Sequence, residues 1–223
     1  MRLGIRLLFA FFLINGIAAF FVLRVFTAEI KPSVREVMED MMVDTANLLA
    51  ELASDDLAAG RLAQGDTDSA FARHVRNYVR RPIDAGIWGF AKQSLDYRIY
   101  VTDATGRVLF DSQGQAVGQD FSQWRDVART LRGEYGARMT REVPSDDTSG
   151  VMHVAAPVLV QGRILGVLTV AKPVRTVQRF IDRAERKVLM GGLVLLLLSA
   201  AVGVAVTLWM VWNVRRLRDY ALS

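Results

Sequence analysis

Residues 188–212 run for twenty-five positions without a charge, and the run ends just before Arg215, Arg216 and Arg218. A helix rising about 1.5 Å per residue over that length crosses the ~30 Å hydrocarbon core of a bilayer with room for tilt. The run has a counterpart near the start, where an apolar stretch over 7–23 follows Arg2 and Arg6. Ordinary globular composition lies between the two. The pattern predicts a first transmembrane helix with a short cytoplasmic start over 1–27 and an exported domain over 28–187. A second transmembrane helix over 188–213 follows, then the beginning of a cytoplasmic helix over 214–223.

The net charge of +5 invites a nucleic-acid reading, but its location removes that reading. Residues 25–187 hold 22 Lys+Arg and 22 Asp+Glu, so the middle is neutral. The surplus sits in six arginines at the two ends, mostly where cytoplasmic flanks carry positive charge. Both termini therefore read as cytoplasmic and no nucleic-acid partner is expected. Arg24, at the outer end of the first span, can reach the headgroups. No small-x-small cleavage site follows the first span, since 17–19 and 26–28 each carry a large residue, so an uncleaved anchor is expected.

The chain has no cysteine and only two histidines, His74 and His153, which leaves no thiol chemistry and no evident metal site. No Gly-x-Ser-x-Gly elbow surrounds a serine. Asp103 and Asp111 flank a hairpin and read as a turn cap and a strand end rather than as paired catalytic carboxylates. No catalytic residue, metal or cofactor is expected.

Residues 29–57 read as one long helix. Val34, Met38, Met41, Thr45, Leu48 and Leu52 are spaced alternately four and three apart, the period of a coiled-coil seam. A homodimer through Val34, Met38, Met41, Leu48 and Leu52 is one reading. A helix laying that face on its own domain is the other. A second helix is expected over 69–80, stopped before Pro82, and a loop over 83–94. The period then changes to two. Residues 97–102 and 107–110 predict a hairpin around the turn 103–106. A helix over 121–131 with Ser122 as its cap, a strand over 137–143, and a closing pair of strands over 151–160 and 163–172 complete the domain. Gln161-Gly162 joins the last pair as a two-residue turn, which predicts opposed residue numbers summing to 323, with Pro157 marking a bulge or an edge. The fold class expected is α+β, a mostly antiparallel sheet of about five strands with a long N-terminal helix, between two transmembrane helices. A helix over 174–187 is expected to continue into the second span.

The stretch 97–112, with Asp103-Ala104-Thr105-Gly106 at its turn and Asp111-Ser112 at its end, is followed by Val117-Gly118-Gln119-Asp120. That arrangement resembles the PAS-like, or single-Cache, sensor domain. The start 1–8 and the stretches 44–53 and 130–138 are similar to two-component sensor histidine kinases of Gram-negative bacteria. The resemblance implies an inner-membrane protein with a periplasmic input domain and a response-regulator partner. It also implies a HAMP segment, a phosphoacceptor helix pair and an ATP-binding domain. Only 213–223 resembles the start of a HAMP helix, and neither His74 nor His153 sits in a phosphoacceptor setting. The chain is thus expected to be the input half and not itself an enzyme. An input module of a chemotaxis transducer or nucleotide cyclase, or a membrane-anchored structural protein, are the alternatives.

A sensor needs a pocket with convergent polar groups. The candidates are Arg98, Tyr100, Trp124, Arg138, His153 and Lys172. The register sum of 323 places His153 opposite Val170 and diagonal to Lys172, an imidazole and an ammonium on one patch. Cationic side chains there favour a small anionic ligand through charge-assisted bonds.

Overall fold

The computed structural model describes residues 2–25, 28, 31–62, 69–87, 90–141, 143–146 and 149–221. The chain divides into two units. One contains Met1–Val34 and Arg179–Ser223; the other is Arg35–Gln178.

In the first unit, helix α1 spans Arg2–Val25. The last helix, α5, spans Arg175–Ala221, 47 residues, and supplies its other part. Among the described residues one helical segment, Ile181–Met210, is long and apolar enough to cross a membrane, and Phe9–Val25 is a shorter apolar helix. Two membrane spans were expected; the second of them meets the length and composition needed. Two polar side chains inside these segments turn to their own backbone, as a hydrocarbon surround favours. Asn15 Nδ2 donates to the Phe11 carbonyl at 2.8 Å and Thr207 Oγ1 to that of Gly203 at 2.7 Å. A Cβ on Gly203 would lie 3.1 Å from the Phe11 ring, so α1 and α5 approach closely there.

In the second unit, α2 (Lys31–Ala58) and α3 (Ala70–Arg80) precede the strands. β1 (Ala85–Ile87) and β2 (Phe90–Lys92) form a small hairpin where a loop was expected, its centre at Trp88-Gly89 lying outside the described residues. β3 (Arg98–Asp103), β4 (Val108–Asp111), β5 (Gly136–Arg141), β6 (Gly150–Val160) and β7 (Arg163–Pro173) form one five-stranded sheet in the order β4-β3-β7-β6-β5, antiparallel throughout. The helix between β4 and β5, α4 (Arg125–Leu131), is shorter than 121–131. Its N-cap position is Trp124 and not Ser122, because Phe121 to Trp124 are held in a turn by the Trp124 amide on the Phe121 carbonyl.

Alternation along the strands sorts the core into two layers. Ile99, Val101, Val154, Val158, Leu168 and Val170 face α2 and α3; Tyr100, Val108, Ala155 and Val167 face α4. α2 comes down on the sheet through Met38, Met42, Ala46, Ala50 and Ala53, all buried. Three alanines in that row let the helix axis sit close to the strands. Met38 therefore belongs to the core and not to an outward seam. The outward face carries Val37, Met41, Leu48 and Leu52, 54–63% exposed. The helix has two apolar faces, and a single seam drawn through Met38 mixed them.

The α2–α3 junction is tied by Asp56, 4% exposed. It accepts from Ser69 Oγ (2.8 Å), the Phe71 amide (2.8 Å) and Arg61 Nε (2.7 Å), while Ser69 Oγ caps α3 by accepting from the Ala72 amide. Burial alone would raise the Asp56 carboxyl, but these donors outweigh it and hold it below the usual range.

The β6–β7 turn is Gln161-Gly162, both at positive φ (49° and 76°), as a two-residue hairpin with matching twist requires. Near this turn the opposed numbers sum to 323, as with Leu159 and Ile164. Beyond an irregularity between Val158 and Leu159 they sum to 324. That extra residue beside Pro157 moves every later β6 partner by one position and puts His153 opposite Ala171. His153 and Lys172 thus lie on opposite faces of the sheet, and the shared patch expected from a uniform register does not form.

Gly166 on β7 pairs with Asp103, and a Cβ there would sit 2.0 Å from the Thr102 carbonyl oxygen and 3.0 Å from Leu57 Cδ2. Gly166→Ala is expected to cost about 1–3 kcal/mol or more, as over-packing against backbone does. Thermal unfolding followed by circular dichroism measures this, and a wild-type midpoint would contradict the close approach.

Candidate functional site

The face of the sheet beneath α4 gathers polar side chains that the strands would otherwise scatter. Arg98, Tyr100 and Thr102 share that face of β3, Arg138 and Thr140 that of β5, His153 that of β6 and Thr169 that of β7. α4 lies over β5, β6 and β7 and lowers Asp126, fully buried, into their midst. Gly136 makes room for it: a Cβ there would fall 2.1 Å from the Asp126 carbonyl oxygen.

Both carboxylate oxygens of Asp126 are engaged. Oδ1 receives Arg138 Nε at 2.7 Å; Oδ2 receives the Tyr100 hydroxyl and, at 3.3 Å, the Thr169 hydroxyl. The Arg138 guanidinium lies 4.0 Å above the Trp124 ring, and Trp124 stacks on Phe121 at 3.5 Å. Phe121 meets Tyr100 edge-on at 5.4 Å. Burial, then the Asp126 charge, raises the Tyr100 phenol far above its ordinary range, so it stays a donor.

His153 closes the network. Burial first, and the Arg138 guanidinium second, push its imidazole down to about 4, against a weaker pull from Asp126. The neutral ring then accepts from Arg138 Nη2 at Nδ1 (3.3 Å) and donates from Nε2 to Thr140 Oγ1 (3.1 Å). The partners assign this tautomer.

Of the six residues expected to line a site, Tyr100, Trp124, Arg138 and His153 come together here. Arg98 shares their face but is held in a two-bond fork on Asp111, at 3.0 and 2.8 Å. Asp111 also accepts the amides of Gln113, Gln115 and Ala116. Burial would raise its carboxyl, yet Arg98 and those amides hold it low. Lys172 is on the opposite face, its ammonium 4.7 Å from the Tyr97 ring centroid. Sequence reasoning missed Asp126 and Thr169. The available signal was position: Asp126 stands beside Val127 and four residues before Thr130, on the inward face of a short helix, where an acid reads as an ordinary first-turn charge.

The arrangement can hold an anion, and the anion it holds is the chain's own. A small cleft of about 290 Å³ reaches Arg138 from the sheet edge, lined also by Arg125, Arg129, Tyr135 and Glu39. An external carboxylate entering it meets a guanidinium already paired with Asp126.

This chain is similar to a bacterial sensor protein. It is 45% identical over all 223 residues to the sensor protein CreC of Escherichia coli (strain K12), and spans 46% of that relative's length. No family model matches the chain. Among solved structures, the sensor domain of the Vibrio cholerae histidine kinase DctB aligns with 70% of this chain and 55% of its own. The identity is 16% and the TM-score 0.46. The Escherichia coli DcuS sensor domain aligns with 66% of this chain and 98% of its own, at 19% identity and a TM-score of 0.43.

Proposed function

We propose that residues 1–223 form the input half of a two-component sensor histidine kinase. On this reading Arg35–Gln178 is a periplasmic sensor domain of the PAS-like, single-Cache kind, flanked by two spans of the bacterial inner membrane with both termini cytoplasmic. The output is phosphorylation of a response regulator by kinase domains joined beyond the second span. The observation that carries the reading is the 45% identity to the CreC sensor protein along the whole chain. The apolar segment Ile181–Met210 and the arginines at 215, 216 and 218 support the membrane assignment. A parallel homodimer through Met41, Leu48 and Leu52, with Val37, would cover the exposed apolar face of α2.

Helix α5 is continuous from Arg175 to Ala221. A ligand that binds one arrangement of the sheet better than another shifts the population, and a helix displacement of about 1–2 Å is a usual switching amplitude. The test joins 1–223 to the remainder of the CreC relative and follows phosphate transfer from ATP in membranes. The chimera is expected to autophosphorylate. A Gly-Pro insertion after Arg183 is expected to change its steady-state level by about five-fold or more, the lower end of ordinary coupling. A silent chimera in correctly inserted membranes would count against the kinase reading; an insertion without effect would count against transmission through α5.

A further inference from the structure

The opposite face of the sheet holds a larger opening. α2 and α3 separate above β3 and leave a cavity of about 580 Å³, within the ~300–1,000 Å³ typical of small-molecule sites. Its floor is Phe71, Val75 and Ile99, all buried, and Leu49 and Leu52 of α2 form one wall. Tyr78 and Tyr97 stand together at one end, and neither hydroxyl has a hydrogen-bond partner among the described residues. Burial, with Tyr97 and Asp96 adding, pushes the Tyr78 phenol up to about 12, so at neutral pH it is a donor without an acceptor.

The charges of the lining decide what can enter. Arg61 is its one guanidinium, and that group is spent on Asp56 at 2.7 Å. Asp55 also lines the cavity, so the carboxylates outnumber the arginine. A phosphate or dicarboxylate would lose its hydration without gaining a free cation from the lining, Lys172 being held behind the Tyr97 ring. An apolar body gains from the aliphatic and aromatic floor, and a polar end finds the two phenols or Asp55.

We propose that this cavity is the ligand site of the domain, and that it takes a small, mostly apolar molecule that is uncharged or singly positive, such as an aromatic alcohol or amine. The binding stands on the cavity alone; its role as the sensor's input rests on the function proposed above. The class is the reverse of the small anion expected from the strand cations: Arg98 and Arg138 lie on the other face, paired with Asp111 and Asp126, and the Lys172 ammonium rests over the Tyr97 ring without joining the cavity lining.

The test uses the full chain in lipid nanodiscs, with benzyl alcohol and benzylamine as probes against succinate and inorganic phosphate, read by calorimetry and thermal shift. Ala70→Trp and His74→Trp fill the rim from exposed positions of α3; two variants guard against misfolding of one. Either aromatic probe is expected to bind and stabilise wild type, and a correctly folded rim variant to bind it about ten-fold more weakly, a loss near 1.4 kcal/mol. The proposal falls if neither probe binds, if both rim variants bind as wild type, or if succinate or phosphate binds in preference. It falls also if a rim variant turns a dimer into a monomer while leaving probe binding intact, since a second copy would then be the occupant. Probe binding that leaves phosphorylation of the chimera unchanged would remove the sensing role and leave the cavity assignment standing.

Discussion

Asp126→Ala is expected to destabilise the domain by about 3–5 kcal/mol, the cost of stranding one partner of a buried ion pair. The stranded group is the Arg138 guanidinium, whose side chain is 15% exposed against 0% for Asp126. The Tyr100 and Thr169 hydroxyls lose their acceptor in the same step, and these losses overlap rather than add. Restoring an apolar pairing with Asp126→Ala and Arg138→Met together is expected to recover a large part of the loss, because no buried charge is then left alone. Thermal and urea unfolding of the three chains measures the cycle. A single-variant loss below about 1 kcal/mol, the range of an exposed pair, would show that this carboxylate does not hold α4 to the sheet.

Stability is expected to fall as pH drops from about 6.5 towards 4, and His153 is the cause. Its folded imidazole titrates near 4, because burial and then Arg138 disfavour the charged ring; an unfolded histidine titrates near ~6.5. Between those values the unfolded chain binds a proton that the folded chain refuses, so acid favours unfolding. The groups facing the ring are Tyr100, Asp126, Arg138 and Thr140, with Arg98 acting at longer range. The full shift corresponds to about 3 kcal/mol, accumulating at no more than ~1.4 kcal/mol per pH unit. Asp56 and Asp111 act in a lower window. Their folded carboxyls are held below the ordinary value, so their contribution is present above about 4 and is lost as pH falls further. His153→Gln should flatten the upper limb and leave the acidic fall in place. An unchanged slope between pH 6.5 and 4.5 in that variant would exclude His153 as the source.

Much of the second unit was readable from the chain. Ser69 before a helix that stops ahead of Pro82, the alternation through 97–110, and Gln161-Gly162 between two apolar runs each encode a local backbone preference. α4 was less readable: its first turn depends on Phe121 and Trp124 stacking under Arg138, a contact that no local rule supplies. The outward and inward faces of α2 could not be separated by spacing alone, since Val37 and Met38 are neighbours in sequence and one is 54% exposed while the other is buried.

By itself the sequence determined where backbone groups must find partners within their own segment: the charge-free run over 188–212, the long helices and the hairpins. Those choices depend on residues a few positions apart. Tertiary structure decided which side chains meet. One residue of slip at Val158/Leu159 took His153 away from Lys172, and the pairing of β5 with β6 set it beside Arg138. The closing of α4 then delivered Asp126 to Tyr100, 26 positions away, and to Thr169, 43 positions away. Periodicity gives each side chain a face, but only the packed sheet gives that face a register and an occupant. For that reason the arginines seen in the sequence, Arg98 and Arg138, proved to be paired within the protein, and the open cavity lies on the other side of the sheet, the face that Lys172 shares.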